Sequence, residues 1–181
     1  MFNTLQLLNM GGMFKACEKL EKIKLFSRTS RVEDMNCLFS GCGRLESITL
    51  PDTVTSLGPS IFKNCTGLKN ITLPNNIKTI PNEAFSGCGL LTDVAIPDTV
   101  VSIGISAFEE CSIIENIVIP DTVKSIGKCA FKDCRKLKSL DIPSAVSSIE
   151  DSTFEGCKAI ESITIPNTVT SIGRRAFLYC S

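Results

Sequence analysis

The chain has 181 residues, 43% of them hydrophobic, which is enough to bury a sizeable core. Nineteen Lys and Arg balance nineteen Asp and Glu, so no net charge draws the protein to nucleic acid or to an anionic membrane. The absence of His and Trp removes the commonest general base, the commonest metal ligand and the strongest aromatic anchor of protein interfaces.

One pattern recurs along the whole chain, a Phe followed three residues later by a Cys. The pairs are Phe14/Cys17, Phe39/Cys42, Phe62/Cys65, Phe85/Cys88, Phe108/Cys111, Phe131/Cys134, Phe154/Cys157 and Phe177/Cys180. The spacing is 25 residues once and then 23 residues six times. A fixed period of this length predicts a repeat solenoid, because each coil leaves an apolar edge that only a neighbouring coil can cover.

The elements of one coil follow each other in chain order from Leu68. Residues 68–73 contain apolar positions with period two, which predicts a short strand, and Pro74 ends it because proline cannot donate to a ladder. Residues 77–80 form a short segment rich in β-branched side chains. Residues 84–88 are predicted to form one helical or 3₁₀ turn that brings Ala84 and Phe85 inward. We therefore predict a right-handed coil of short parallel strands with short helical or 3₁₀ turns and a single continuous core.

The residue after the second apolar pair varies between coils. It is glycine in four of them, at Gly58, Gly104, Gly127 and Gly173. Two other coils have Pro81 and Glu150 there. Because proline excludes positive φ, this turn cannot require a left-handed residue in every coil, and glycine is interpreted as permissive.

Residues 45–180 resemble the 23-residue leucine-rich repeat of BspA-like proteins, whose pattern is A-F-x-x-C-x-x-L-x-x-I-x-I-P-x-x-V-x-x-I-G. Residues 10–17 and 32–42 resemble the related 25-residue BspA surface repeat, with its V-x-D-M-x-x-M-F-x-x-C core. The resemblance makes residues 2–10 the tail of an earlier coil, while Cys180 precedes a strand that would begin the next one.

The resemblance implies one leucine-rich-repeat solenoid over residues 1–181, with 25-residue coils in 1–44, 23-residue coils in 45–181, and both ends cutting a repeat. It also implies a protein-binding or adhesion module of a cell-surface protein, with a host matrix protein or another surface protein as partner. Such repeats also build intracellular scaffolds and adaptors, which is the alternative. We further expect that uncapped ends allow self-association with another copy.

Residues 1–10 have neither the basic start nor the apolar run of a signal peptide. No later stretch approaches the roughly 18 apolar residues of a membrane span. We therefore expect no membrane insertion by this chain, and a cell-surface location is implied by the resemblance alone.

The eight cysteines of the Phe/Cys pairs occur once per coil and should form a line along the solenoid, called here the cysteine ladder. A zinc site needs ligands that converge on one point, so we predict reduced, buried thiols that act as small hydrophobic groups. Cys37 and Cys129 lie two residues before their Phe, outside this register. They are either substitutions within the helical turn or more exposed, oxidisable thiols.

Catalysis is not indicated by the remaining residues. An acid–base pair needs two carboxylates converging in a cleft, whereas the acids here occupy repeat positions predicted to face solvent. No phosphate loop, nucleophile elbow or zinc-protease helix occurs in the sequence. We predict no enzymatic activity, no metal and no cofactor.

The regular place for a protein partner is the outward side of the first strand of each coil, called here the strand face. Its candidate binding residues are Lys69, Asn70, Thr72, Thr92, Asp93, Glu115, Asn116, Lys138, Ser139, Asp141, Glu161 and Thr164. The row is polar, of mixed sign and free of Trp, Tyr, Phe and Arg, so binding is expected to be weak per site and to gain strength by repetition. An ordinary solvated surface is the alternative interpretation. A denser cluster lies in the last coil, at Arg174, Arg175, Phe177 and Tyr179.

Overall fold

The structure is a computed structural model that describes residues 9–25, 32 and 34–180. Ten short strands occur in this part of the chain: β1 Ser47–Thr49, β2 Asn70–Thr72, β3 Thr79–Ile80, β4 Asp93–Val94, β5 Ser102–Ile103, β6 Ser125–Ile126, β7 Ser139–Asp141, β8 Ser148–Ile149, β9 Ser162–Thr164 and β10 Ser171–Ile172. Residues 2–8 of the predicted tail of an earlier coil lie outside the described residues, and so does Glu33 of the 25-residue motif.

The strands stack in two parallel columns. The first column contains β1, β2 and β4 in one sheet and β7 and β9 in another, and the second contains β3, β5 and β6 beside the pair β8 and β10. The register advances by one repeat, so that Ile48 pairs with Ile71 and Ile80 with Ile103. The predicted solenoid of short parallel strands is therefore confirmed.

The Phe-containing segments form turns, and the described residues contain no helix. Residues two before and two after each Phe are left-handed, as at Ser60 and Asn64 with φ of 57° and 58° around Phe62. The backbone N–H groups of Ser60, Phe62 and Asn64 donate hydrogen bonds to carbonyls of the next coil at 2.7–2.9 Å. A helix would need those donors for its own hydrogen bonds. The predicted helical or 3₁₀ turn is therefore wrong, and the segments form a third column of hydrogen bonds between coils.

One apolar cluster extends from Met10 to Ala176 between the three columns. Its centre is a stack of Phe rings in which neighbouring centroids from Phe14 to Phe177 lie 5.2–5.6 Å apart with interplanar angles of 3–14°. The six rings from Phe39 to Phe154 are fully buried. Burial of these rings and of the aliphatic side chains around them stabilises the contact between coils.

The glycines after the second apolar pair serve close packing. A Cβ atom on Gly104 would lie 2.6 Å from the backbone nitrogen of Asn82, and one on Gly58 would lie 2.2 Å from that of Asn36. Neither glycine has a positive φ, as the sequence predicts. Interpreting them as merely permissive is nevertheless wrong, since the preceding coil leaves no space for a side chain there. Pro81 and Glu150 show that not every coil makes this close approach.

Candidate functional site

The strand face is the outward side of the first column. Asn70 and Thr72 are exposed on either side of buried Ile71, and the same alternation holds in β1 and β7. All twelve candidate residues are exposed. Parallel pairing brings Asn70 beside Asp93 and Ser139 beside Ser162, so equivalent side chains form rows along the solenoid.

Two ion pairs join neighbouring coils across this face. The Lys69 ammonium lies 3.4 Å from a carboxylate oxygen of Glu46, and that of Lys138 lies 2.6 Å from one of Glu115. The hydrogen bond from Lys138 lowers the pKa of Glu115 and raises that of Lys138. Exposed pairs of this kind contribute little to stability, so their effect is to balance charge within the row.

The first column is interrupted at residues 116–119. This segment forms no strand, and its only link in sheet register is an isolated bridge between Asn116 and Ser139. A cleft of about 190 Å³ lies between residues 116–119 and 139–141. Val118 at the segment's centre is 79% exposed. The sequence places Val118 on the outward side of its coil, but it was not chosen as a binding residue because the row was interpreted as polar and of mixed sign.

The cysteine ladder is largely buried. Cys42, Cys65, Cys88, Cys111, Cys134 and Cys157 are buried, but Cys17 and Cys180 are only half-buried, against expectation. They belong to the first and the last Phe/Cys pair of the described residues. Burial raises the pKa of Cys65 and of Cys157 to about 12. These thiols are therefore poor nucleophiles and poor metal ligands at neutral pH.

The two cysteines outside the ladder occupy the left-handed position two residues before Phe. Cys37 and Cys129 have φ of 54° and 56°, and both are half-buried. Partial burial and the nearby carboxylate of Glu109 raise the pKa of Cys129. They are thus turn residues, although the turn is not helical.

Several acids on the flanks of the coils bind neighbouring coils. Glu83 accepts hydrogen bonds from the Ser60 hydroxyl at 2.8 Å and the Lys63 ammonium at 2.7 Å, and the bond from Lys63 lowers its pKa. Asp151 accepts the backbone N–H of Arg174 at 2.8 Å, which lowers its pKa. Within the described residues, no group of three or more Cys, Asp or Glu is placed to hold a metal ion.

The aromatic and basic cluster of the last coil is divided by the fold. Tyr179 is 67% exposed, and Arg174 and Arg175 are also exposed. Phe177 instead continues the Phe stack, with its ring 5.5 Å from that of Phe154. The described part of the chain holds no helix that could cross a membrane.

The sequence matches the family profile described as "BspA type Leucine rich repeat region (6 copies)" over residues 10–113 and 78–181. A leucine-rich-repeat protein of T. pallidum is 35% identical, with a TM-score of 0.73, over 76% of this chain and 64% of that one. One from Bacteroides ovatus is 31% identical, with a TM-score of 0.63, over 76% and 42%. No curated protein matches.

A third solved structure is described as a leucine rich cell surface protein from Faecalibacterium prausnitzii. It is 25% identical, with a TM-score of 0.53, over 94% of this chain and 60% of that one. The chain thus spans less than two thirds of the length of each of these proteins. Since the family profile covers most of its residues, the chain belongs to the BspA-type leucine-rich-repeat family.

Proposed function

We propose that the chain is a non-enzymatic protein-binding module of a cell-surface protein, acting in adhesion through its strand face. The supporting observation is the register of the first column, which presents equivalent exposed side chains at the strand spacing of about 4.8 Å. The F. prausnitzii neighbour is described as a cell surface protein, which favours the same location here.

The composition of the strand face favours repeated weak contacts. It offers hydroxyl, amide and charged groups, and its ion pairs already satisfy part of the charge, as between Lys138 and Glu115 at 2.6 Å. Aromatic and Arg side chains, which dominate strong hot spots, are absent from the face. Adhesion by many copies held on one surface suits such a face, since linked sites gain effective concentration.

The environment of the reactive side chains supports a non-enzymatic role. The buried ladder thiols have raised pKa values, as at Cys65, and remain protonated near neutral pH. Acids such as Glu83 and Asp151 have lowered pKa values and act as hydrogen-bond acceptors between coils. Neither environment prepares a nucleophile or a general base.

The proposal is tested by comparing monomeric with clustered protein. The chain is coupled to beads at high density, and binding to immobilised fibronectin is compared with that of the free monomer. Clustering should raise the apparent affinity by roughly 10²–10⁴. The control is a variant in which the twelve strand-face residues are permuted among themselves while every buried residue is kept. Equal binding by the clustered wild type and the clustered control would show that the strand face is only a solvated surface.

A further inference from the structure

We propose that residues 116–119 form the anchoring point of the strand face and bind an extended protein segment in which an apolar side chain adjoins basic ones. This inference rests on the proposed protein-binding function and specifies where and what the face binds. Its first support is the local loss of hydrogen bonds in the first column.

The first column is closed by a hydrogen bond at the end of two of its strand pairs, β1 with β2 and β7 with β9. Leu50 donates its N–H to the carbonyl of Thr72 at 3.0 Å, and Ile142 donates to Thr164 at 3.1 Å. In the described structure, the equivalent hydrogen bonds of the three central boundaries, Leu73 to Ala95, Ile96 to Val118 and Ile119 to Asp141, are not formed. β2 and β4 still pair in register, whereas residues 116–119 form no strand pair with β4. The segment is thus separated from the coil before it and only partly joined to the coil after it.

The separation of residues 116–119 from the preceding coil is confined to one side of the solenoid. At the same boundary the second column is paired, with Ser102 opposite Ser125. The third column is closed as well, since Phe108 donates its N–H to the carbonyl of Ala130 at 2.8 Å. Two of the three columns therefore hold this coil to the preceding one. On the other side, at the cleft, the third column is closed by the N–H of Phe131 and the carbonyl of Thr153 at 2.9 Å, whereas β6 and β8 belong to different sheets.

The second support is the exposure of an apolar side chain at this place. Val118 is 79% exposed, the highest value among the exposed large hydrophobic residues of the described chain. The equivalent positions of other coils hold Thr49, Thr72 and Thr164, and the preceding coil holds the small apolar Ala95. A partner side chain packed on Val118 and Ala95 would remove apolar surface from water on both molecules.

The third support is the charge around the segment. From β4 to β9 the strand face carries four carboxylates and one ammonium group, namely Asp93, Glu115, Asp141, Glu161 and Lys138. The ammonium is already bound by Glu115 at 2.6 Å. Lys136 lies just outside the face, and the balance remains acidic when it is included. Basic groups beside the apolar side chain of the partner complement this charge.

The test uses alternating peptides, which favour extended conformations. The probe is acetyl-Lys-Val-Lys-Val-Lys-amide, and the controls replace both Val by Thr or all Lys by Glu. Binding to the full chain is followed by two-dimensional NMR titration at low ionic strength. The Lys–Val peptide should shift the amide signals of residues 95–96, 116–119 and 139–141, and should bind more tightly than either control peptide.

The decisive variant is Val118→Thr, because threonine occurs at the same position in three other coils and keeps the β-branched shape. It should weaken binding of the Lys–Val peptide about tenfold, the loss expected when a valine no longer contributes its apolar surface. The matched control Val101→Thr changes a valine that is 39% exposed in the second column and should leave binding unchanged. Asp141→Asn should weaken binding several-fold at low salt and less at high salt.

Equal binding of the Lys–Val and Lys–Thr peptides, or an unaltered affinity of Val118→Thr, would overturn the anchoring site. If clustered Val118→Thr binds fibronectin as well as clustered wild type does, the anchoring site is wrong and the proposed function stands. If wild type binds the peptide through Val118 but clustered wild type fails to bind fibronectin, the anchoring site stands and the matrix protein is the wrong partner.

Discussion

The thiol of Cys65 donates a hydrogen bond to the backbone carbonyl of Phe39, 26 residues earlier, with Sγ and O 3.0 Å apart. The same oxygen accepts the N–H of Cys42 at 3.0 Å. The thiol hydrogen bond recurs at the ladder cysteines from Cys42 to Cys180, as between Cys111 and Phe85 at 3.3 Å. Cysteine therefore supplies both a small apolar volume and a weak donor for a second carbonyl lone pair, which valine or alanine would leave unused.

This arrangement predicts two classes of thiol in native protein. The six buried cysteines should react with a disulfide reagent such as DTNB only as fast as the protein unfolds, because each thiol is buried and its pKa is raised. The half-buried Cys17, Cys37, Cys129 and Cys180 should react earlier. We expect about four fast and six slow groups by DTNB absorbance, and ten in denaturant. Disulfides among ladder cysteines, found by mass spectrometry without reductant, would contradict this expectation.

The ladder thiols also predict loss of stability in alkali. Burial raises the folded-state pKa of Cys65 and of Cys157 to about 12 from the ordinary value of 9.0, so unfolded chains lose these protons first as pH rises. Their contribution is complete below pH 9 and is lost between pH 9 and 12. At pH 10 each thiol should lower the free energy of unfolding by about 1.4 kcal/mol. Urea unfolding at pH 8, 9 and 10 measures this loss.

The double variant Cys65→Ala/Cys157→Ala is the control for that measurement, because lysines also titrate in this range. It should be less stable than wild type at pH 8, since both side chains are buried. Its stability should, however, fall less steeply between pH 9 and 10. Parallel pH profiles for the two proteins would show that folding does not raise the pKa of Cys65 and Cys157.

The repeat architecture could be predicted because the apolar period is written directly in the sequence. Ile48, Ile71 and Val94 recur 23 residues apart and align in the first column. The turn geometry was missed because left-handed residues such as Ser60 and Glu83 are not of a type that favours positive φ. The available signal was Gly41, Gly87 and Gly156 at one of the two left-handed positions.

The candidate site could be predicted only as a location. The exposed residues of the strand face follow from the alternation around buried Ile71 and Leu140. The interruption at residues 116–119 could not be predicted, because the Ile-Val-Ile sequence of residues 117–119 is typical of a strand. Whether a coil pairs depends on its neighbours as well as on its own residues. Local pattern therefore identified the face, whereas the irregular point within it required the structure.

The Phe stack predicts a strong contrast between inward and outward truncations. Phe108 is fully buried, with neighbouring rings at 5.2 Å and 5.4 Å, so Phe108→Ala should destabilise the protein by about 3–5 kcal/mol through a cavity between coils. Asn116→Ala removes an exposed side chain and should change the free energy of unfolding by less than about 0.5 kcal/mol. Chemical denaturation of both variants tests this, and similar losses would mean that inward and outward positions are wrongly assigned.

The close approach of coils at Gly104 predicts an effect that depends on space rather than on backbone conformation. A methyl group there would lie 2.6 Å from the backbone nitrogen and the side-chain oxygen of Asn82, so Gly104→Ala must push two coils apart. We expect the free energy of unfolding to fall by about 1–3 kcal/mol, as for overpacked cores.

Gly89 provides the matched control, because its added Cβ would meet nothing nearer than Ser112 Oγ at 3.7 Å, and it too lacks a positive φ. Gly89→Ala should be neutral or slightly stabilising, since alanine reduces the freedom of the unfolded chain. Guanidinium unfolding of both variants gives the comparison, and equal stabilities would show that the coils separate at Gly104 without cost.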